Sequence, residues 1–80
     1  MKINGKCLVG DSVSLDSYTA DWMSVRVEPT VYYRRMDEFH KSLATSKGLY
    51  TYIDMGQHVV IRFSEKADVT AFYRKHNEYI

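Results

Sequence analysis

Cysteine is almost missing from this chain of 80 residues: Cys7 is the only thiol. One thiol cannot close a disulfide within the chain, so no covalent staple holds the fold, and a reducing compartment, the cytoplasm, is expected. Proline is as scarce, with Pro29 alone. Gly5, Gly10, Gly48 and Gly56 stand singly, which excludes a glycine-rich phosphate cradle and a Gly/Ser linker. Neither sign of charge is in excess. Eleven Lys and Arg against ten Asp and Glu leave a net charge of +1. That balance excludes an overall electrostatic pull toward nucleic acid or an anionic membrane, and also the acidic excess of a DNA mimic. Long apolar runs are lacking too. The longest aliphatic run is Val59-Val60-Ile61, far short of the ~20 residues of a membrane span. Met1 to Lys6 carries charge but is not followed by the apolar stretch of a signal peptide, and the last residues form no lipidation motif.

What is present reads as one small domain, 1–80. Hydrophobic residues make up 45% and charged residues 26%, ordinary proportions for a folded chain. Lys2 to Val9 alternates in part and is expected as a strand, followed by a Gly10-Asp11-Ser12 turn. Residues 11–21 are polar and acidic and suit a loop or a ragged edge strand. Trp22 to Val27 sets Met23, Val25 and Val27 against Ser24 and Arg26, a second strand. Pro29 suits a first helical turn, and Tyr32, Met36, Phe39 and Leu43 then share one helical face, so a helix is expected over Pro29–Ser46 with Gly48 beyond its end. The first turn is ambiguous, because Val31-Tyr32-Tyr33 also favours a strand. Leu49–Asp54 and Gln57–Phe63 form a hairpin about Asp54-Met55-Gly56. Ser64 is read as the cap of a second helix to about Asn77, with Val69, Phe72, His76 and Tyr79 on its apolar face. The fold class is therefore α+β, a two-layer sandwich. A sheet of about four antiparallel strands would carry two helices on one face, in the order β-β-α-β-β-α.

Ser24–Phe39 and Ser64–Tyr79 align at an offset of forty residues, with five of sixteen positions identical: Ser24/Ser64, Thr30/Thr70, Tyr33/Tyr73, Arg34/Arg74 and Glu38/Glu78. One reading is an internal duplication of a strand–strand–helix unit. The other is two unrelated amphipathic helices that both favour Tyr, Arg and Glu.

No constellation spells out catalysis. His40, His58 and His76 lie eighteen residues apart, a spacing that matches no zinc motif, so no metal is expected. Cys7 reads as a small buried hydrophobe. Asp37 and Glu38 are adjacent, and successive helix residues point about 100° apart, so they do not readily share a site. No catalytic residue and no cofactor are expected. The most specific feature is a pair of patches, Tyr33-Arg34-Arg35 and Tyr73-Arg74-Lys75. Arginine offers planar bidentate donors and tyrosine a rigid contact surface, the residue types that dominate binding hot spots. A solvated helix face is the plainer reading of the same residues. Tyr50 and Tyr52 share one strand face opposite Ile53; if Ile53 faces the core, both phenols face outward, as a contact surface or as cross-strand packing that stiffens the hairpin. Residues 11–28 hold Asp11, Asp16, Asp21 and Glu28 against Arg26 alone, a local net charge of −3.

The stretch VVIRFSEKADVTAFYRKH, residues 59–76, resembles the ends of many short phage-encoded accessory proteins, in which a strand leads through a Ser/Asp cap into an aromatic-rich terminal helix. It covers less than a quarter of the chain and assigns no functional residue. What it implies is a compact accessory protein that binds and modulates a host protein. The expected function is thus a protein-binding module, an inhibitor or adaptor, with Tyr33, Arg34, Arg35, Tyr50, Tyr52, Tyr73, Arg74 and Lys75 as contact residues. The alternative is nucleic-acid binding, with Arg34, Arg35, Arg74 and Lys75 on phosphates and tyrosines stacked on bases. An exposed sheet edge would also permit a homodimer.

Overall fold

Alternation along the strands decides which residues meet. In the computed structural model, which describes residues 1–80, the strands are β1 (Lys2–Asn4), β2 (Cys7–Val9), β3 (Met23–Val27), β4 (Tyr50–Asp54) and β5 (Val59–Phe63). The helices are α1 (Ser12–Tyr18), α2 (Pro29–Arg34), α3 (Met36–Leu43) and α4 (Lys66–His76), and a 3-10 turn over Asn77–Tyr79 follows α4. The sheet order is β1-β2-β4-β5-β3. β2 and β4 run parallel and the other neighbours antiparallel. β5 is central to the larger half: Ile61 stands opposite Val25 on one side and Tyr52 on the other.

One face carries the main core. Val25, Val27, Tyr50, Val59, Ile61 and Phe63 from the sheet pack on Tyr32 of α2, Phe39 and Leu43 of α3 and Phe72 of α4. The reverse face holds a smaller core, Leu8 and Ile53 beneath Leu15 of α1, with Trp22 beside them.

The α+β class holds, but several details differ from the sequence reading. The sheet has five strands and is mixed, where four antiparallel strands were expected. Helices lie on both faces, where two on one face were expected. Lys2–Val9 is a hairpin, because Gly5 at the first loop position has φ +63°, the conformation a tight two-residue turn demands there. Residues 11–21 contain a helix: the Asp11 side chain accepts the Ser14 N–H at 3.0 Å and caps α1. The helix expected over Pro29–Ser46 is broken at Arg35 (φ −115°, ψ 23°). The break leaves Met36, expected on the buried stripe, exposed. Ser64 does not cap α4; its hydroxyl accepts the Leu49 N–H at 2.8 Å and extends the β4–β5 pairing. The aligned halves agree only in part: Thr30–Arg34 and Thr70–Arg74 are both helical, whereas Ser24–Val27 is strand and the matched Ser64–Ala67 turns into a helix, so the forty-residue offset does not superpose a whole strand–strand–helix unit. The hairpin about Met55 and Gly56 forms as expected. Gly56 has φ +85°, and its N–H is held by the Asp54 side chain at 2.8 Å.

Candidate edge-strand binding groove

β3 is the element with most to offer a partner. It pairs with β5 alone, so along its outer side every second residue leaves an N–H and a C=O without a strand partner. Val25 and Val27 point into the main core, and Ser24 and Arg26 point to the reverse face. α4 crosses over β3 with Phe72 buried in the core, so the next residue, Tyr73, turns aside and stays 43% exposed. Beyond α4, the 3-10 turn brings Tyr79 and Ile80 to the same side. α2 begins directly after β3 and sets Val31 at its end.

Together these residues enclose an open groove of about 650 Å³ along the edge of β3. One wall is apolar and aromatic, formed by Val31, Tyr73, Tyr79 and Ile80. The other is polar, formed by Ser24, Arg26 and His58, and two carboxylates, Glu28 and Glu78, also line the groove. Arg26 makes no ion pair, in contrast to Arg62, which reaches Asp16 at 2.8 Å. Ser24, Arg26 and His58 also border a second hollow of about 350 Å³ on the reverse face of the sheet.

The residues singled out in the sequence are scattered around the molecule. Tyr73 lies in the groove. Tyr33 is exposed but faces β4, where its hydroxyl donates to Asp54 at 2.9 Å; that bond and the carboxylate's charge push the phenol's pKa up. Arg34 and Arg74 are exposed and engage no side chain. Arg35 is tied down, with its guanidinium 4.3 Å over the Tyr79 ring and 3.4 Å from Glu38. Lys75 lies beside Glu38 and Glu78 in another open cleft. The two Tyr-Arg patches thus share no groove.

Tyr50 and Tyr52 require a correction. The expectation that both face outward rested on a single core behind Ile53. Ile53 in fact belongs to the small core under α1, so the tyrosines turn toward the main one. Tyr50 is buried, and that burial pushes its pKa up to about 12. Tyr52 is 42% exposed, with its ring edge-on to His40 at 5.1 Å.

The remaining polar side chains of the core hold elements together. His40 Nε2 lies 2.7 Å from the Tyr32 hydroxyl, and His76 Nε2 lies 2.7 Å from the Ser42 hydroxyl. Burial, helped at His76 by Lys75, holds both imidazoles below their ordinary range. The Ser42–His76 contact has the form of a nucleophile and its base. Asp68, which lines the same small cavity as Ser42, takes both the Lys47 and Gly48 amides at 2.9 Å, so these amides are spent and cannot serve a developing oxyanion. The contact ties α3 to α4. Burial pushes the Cys7 thiol up, which disfavours the thiolate. No three His, Cys, Asp or Glu side chains gather as a metal site, and no helix is long and apolar enough to cross a membrane.

Sequence reasoning missed Arg26, His58 and Ile80. The signal for Arg26 was available, since it alternates with Val25 and Val27 and so had to lie outside the main core. That β3 is an edge strand was not available, because strand order is set by distant pairing. No family model, curated protein or solved structure matches this chain.

Proposed function

We propose that this protein is a protein-binding module that receives an extended segment of its partner along β3. The role is the accessory one, inhibitor or adaptor of a host protein, that residues 59–76 imply by resemblance. The observation that carries the reading is the unpaired edge of β3 running beside a groove with an aromatic wall. Backbone bonds to such an edge supply affinity, and the flanking walls supply selectivity. Exposed Tyr73 is the hot-spot type of side chain at that place. The scatter of Arg34, Arg74 and Lys75, with Lys75 set among carboxylates, speaks for a protein over a phosphate backbone, which favours a continuous basic track.

A photo-crosslinking amino acid placed at Tyr73, in the groove, and in a second variant at Tyr18, on α1, tests this in lysate. The expected result is a protein adduct from the first position and none from the second. Adducts to nucleic acid, or equal labelling from both positions, count against the reading.

A further inference from the structure

We propose that the segment received by β3 is acidic as well as extended: it places an Asp or Glu directly opposite Arg26 and turns an apolar or aromatic face to Tyr73. This rests on the strand-docking reading above and goes on to name the chemistry of the partner.

An added strand continues the pleat of the sheet, so its side chains alternate between the two walls of the groove. Those on the side of α4 meet Val31, Tyr73 and Tyr79 and call for apolar partners. Those on the other side meet Ser24, Arg26 and Glu28. Within the sheet, Arg26 stands opposite Val60, which offers it no acceptor. Its diagonal neighbour Arg62 already has the carboxylate of Asp16, the carbonyl of Asp16 and the hydroxyl of Thr19. Arg26 is therefore a guanidinium on an open edge that makes no ion pair; Glu28 and Glu78 line the same groove without pairing with it, so a partner carboxylate is matched at Arg26 and not elsewhere along the groove. A guanidinium fork fits a carboxylate in a bidentate manner. Ser24 and His58, which line both hollows beside Arg26, add further donors around the same point. A basic residue opposite Arg26 would meet like charge, which destabilises a directly paired position.

The same register arithmetic disfavours a second copy of this chain. Two-fold antiparallel pairing of β3 with itself must keep like faces together. Centred on Val25, it sets Arg26 opposite Ser24 and leaves the two arginines diagonal. Centred on Arg26, it sets them directly opposite. Only the register centred on Val27 pairs Arg26 with Glu28, and that ladder runs into Pro29, which has no N–H to give.

The test is a display library of extended segments with apolar residues at every second place and random residues between, panned on the purified protein and on its Arg26→Ala and Arg26→Glu variants. The expected result is enrichment of Asp or Glu at one interposed place on the wild type. That enrichment disappears with Arg26→Ala and inverts to Lys or Arg with Arg26→Glu. A synthetic peptide with Glu at that place should bind about three-fold more tightly than its Gln version. The gap should close in Arg26→Ala and narrow at high salt. Alternating apolar segments enriched without an acidic place would overturn the acidic partner and leave strand docking standing. No enrichment of any segment on the wild type would overturn both. Concentration-dependent dimers in sedimentation, dispersed by the selected peptide, would make the occupant of β3 a second copy and overturn the proposal.

Discussion

Asp68 shows how a single side chain can close a loop. It sits in the first turn of α4 yet spends both carboxylate oxygens outside the helix, on the amides of Lys47 and Gly48. Those amides are part-buried and make no other hydrogen bond within the protein. Asp68→Ala should therefore cost about 1–3 kcal/mol, the range for leaving desolvated donors unpaired, read as a lower urea midpoint with an unchanged slope. Gly48 is constrained at the same point, because a Cβ there would run into the side chains of Ser64 and Glu65. The half-buried His40 and the buried His76 give a pH signature of definite sign. In the unfolded chain both titrate near 6.5, and in the folded chain both lie lower. Between the two values the unfolded state binds more protons, so stability rises with pH across that interval. Stability should be full above about pH 7 and fall as pH drops through about 6.5 toward the folded values. Chemical denaturation at pH 7.5 and 5.5 checks this. His40→Gln and His76→Gln should each shrink the difference, since an amide keeps the hydroxyl partner without titrating.

At the scale of elements, what was legible in the sequence was what neighbouring residues decide. The β4–β5 hairpin was readable because alternation in both arms and the glycine of its turn lie within a few residues of one another. β3 was readable from Val25 and Val27. α1 was not, because only Leu15 of its seven residues is buried, and one residue cannot show a period. Its existence depends on the Asp11 cap and on Leu8 and Ile53, which lie far apart in sequence. The break at Arg35 was equally hidden, since the periodicity of Tyr32, Phe39 and Leu43 runs straight across it. The groove was half legible. Tyr73 stood out by its chemistry, but Arg26 acquires meaning only once β3 is known to be an edge. The hidden cap gives a sharp test. In Asp11→Ala the amides of α1 should lose exchange protection while those of β5 and α4 keep theirs, measured residue by residue by hydrogen exchange. Equal loss everywhere would mean that α1 is welded to the main core.

Across the whole molecule the two cores are unequal, and that inequality sets the order in which the fold should open. The main core joins ten buried residues, while the core under α1 joins three. The β1–β2 hairpin is held to the rest by the short parallel pairing at Cys7 and Tyr50, the Tyr50 N–H to Lys6 carbonyl bond at 3.0 Å and the Thr51 hydroxyl to Leu8 carbonyl bond at 2.8 Å. α1 adds the Arg62–Asp16 contact. Such a flank is a natural unit of partial opening. Leu15→Ala and Ile61→Ala both delete buried aliphatic groups, each expected to cost about 2–5 kcal/mol, but they should be felt differently. Loss at Leu15 should release α1, β1 and β2 together at low denaturant, with β3, β5 and α4 still protected. Loss at Ile61, fully buried between β3 and β4, should lower the global transition and every protected amide with it. The groove lies at the opposite edge of the sheet from β1, so the Leu15→Ala protein should still bind the acidic segment selected on the wild type within about two-fold, the scale expected of distant, uncoupled sites. A large loss of binding in Leu15→Ala, with β3 still protected from exchange, would place the recognition surface on α1 and its acidic flank and take it away from β3.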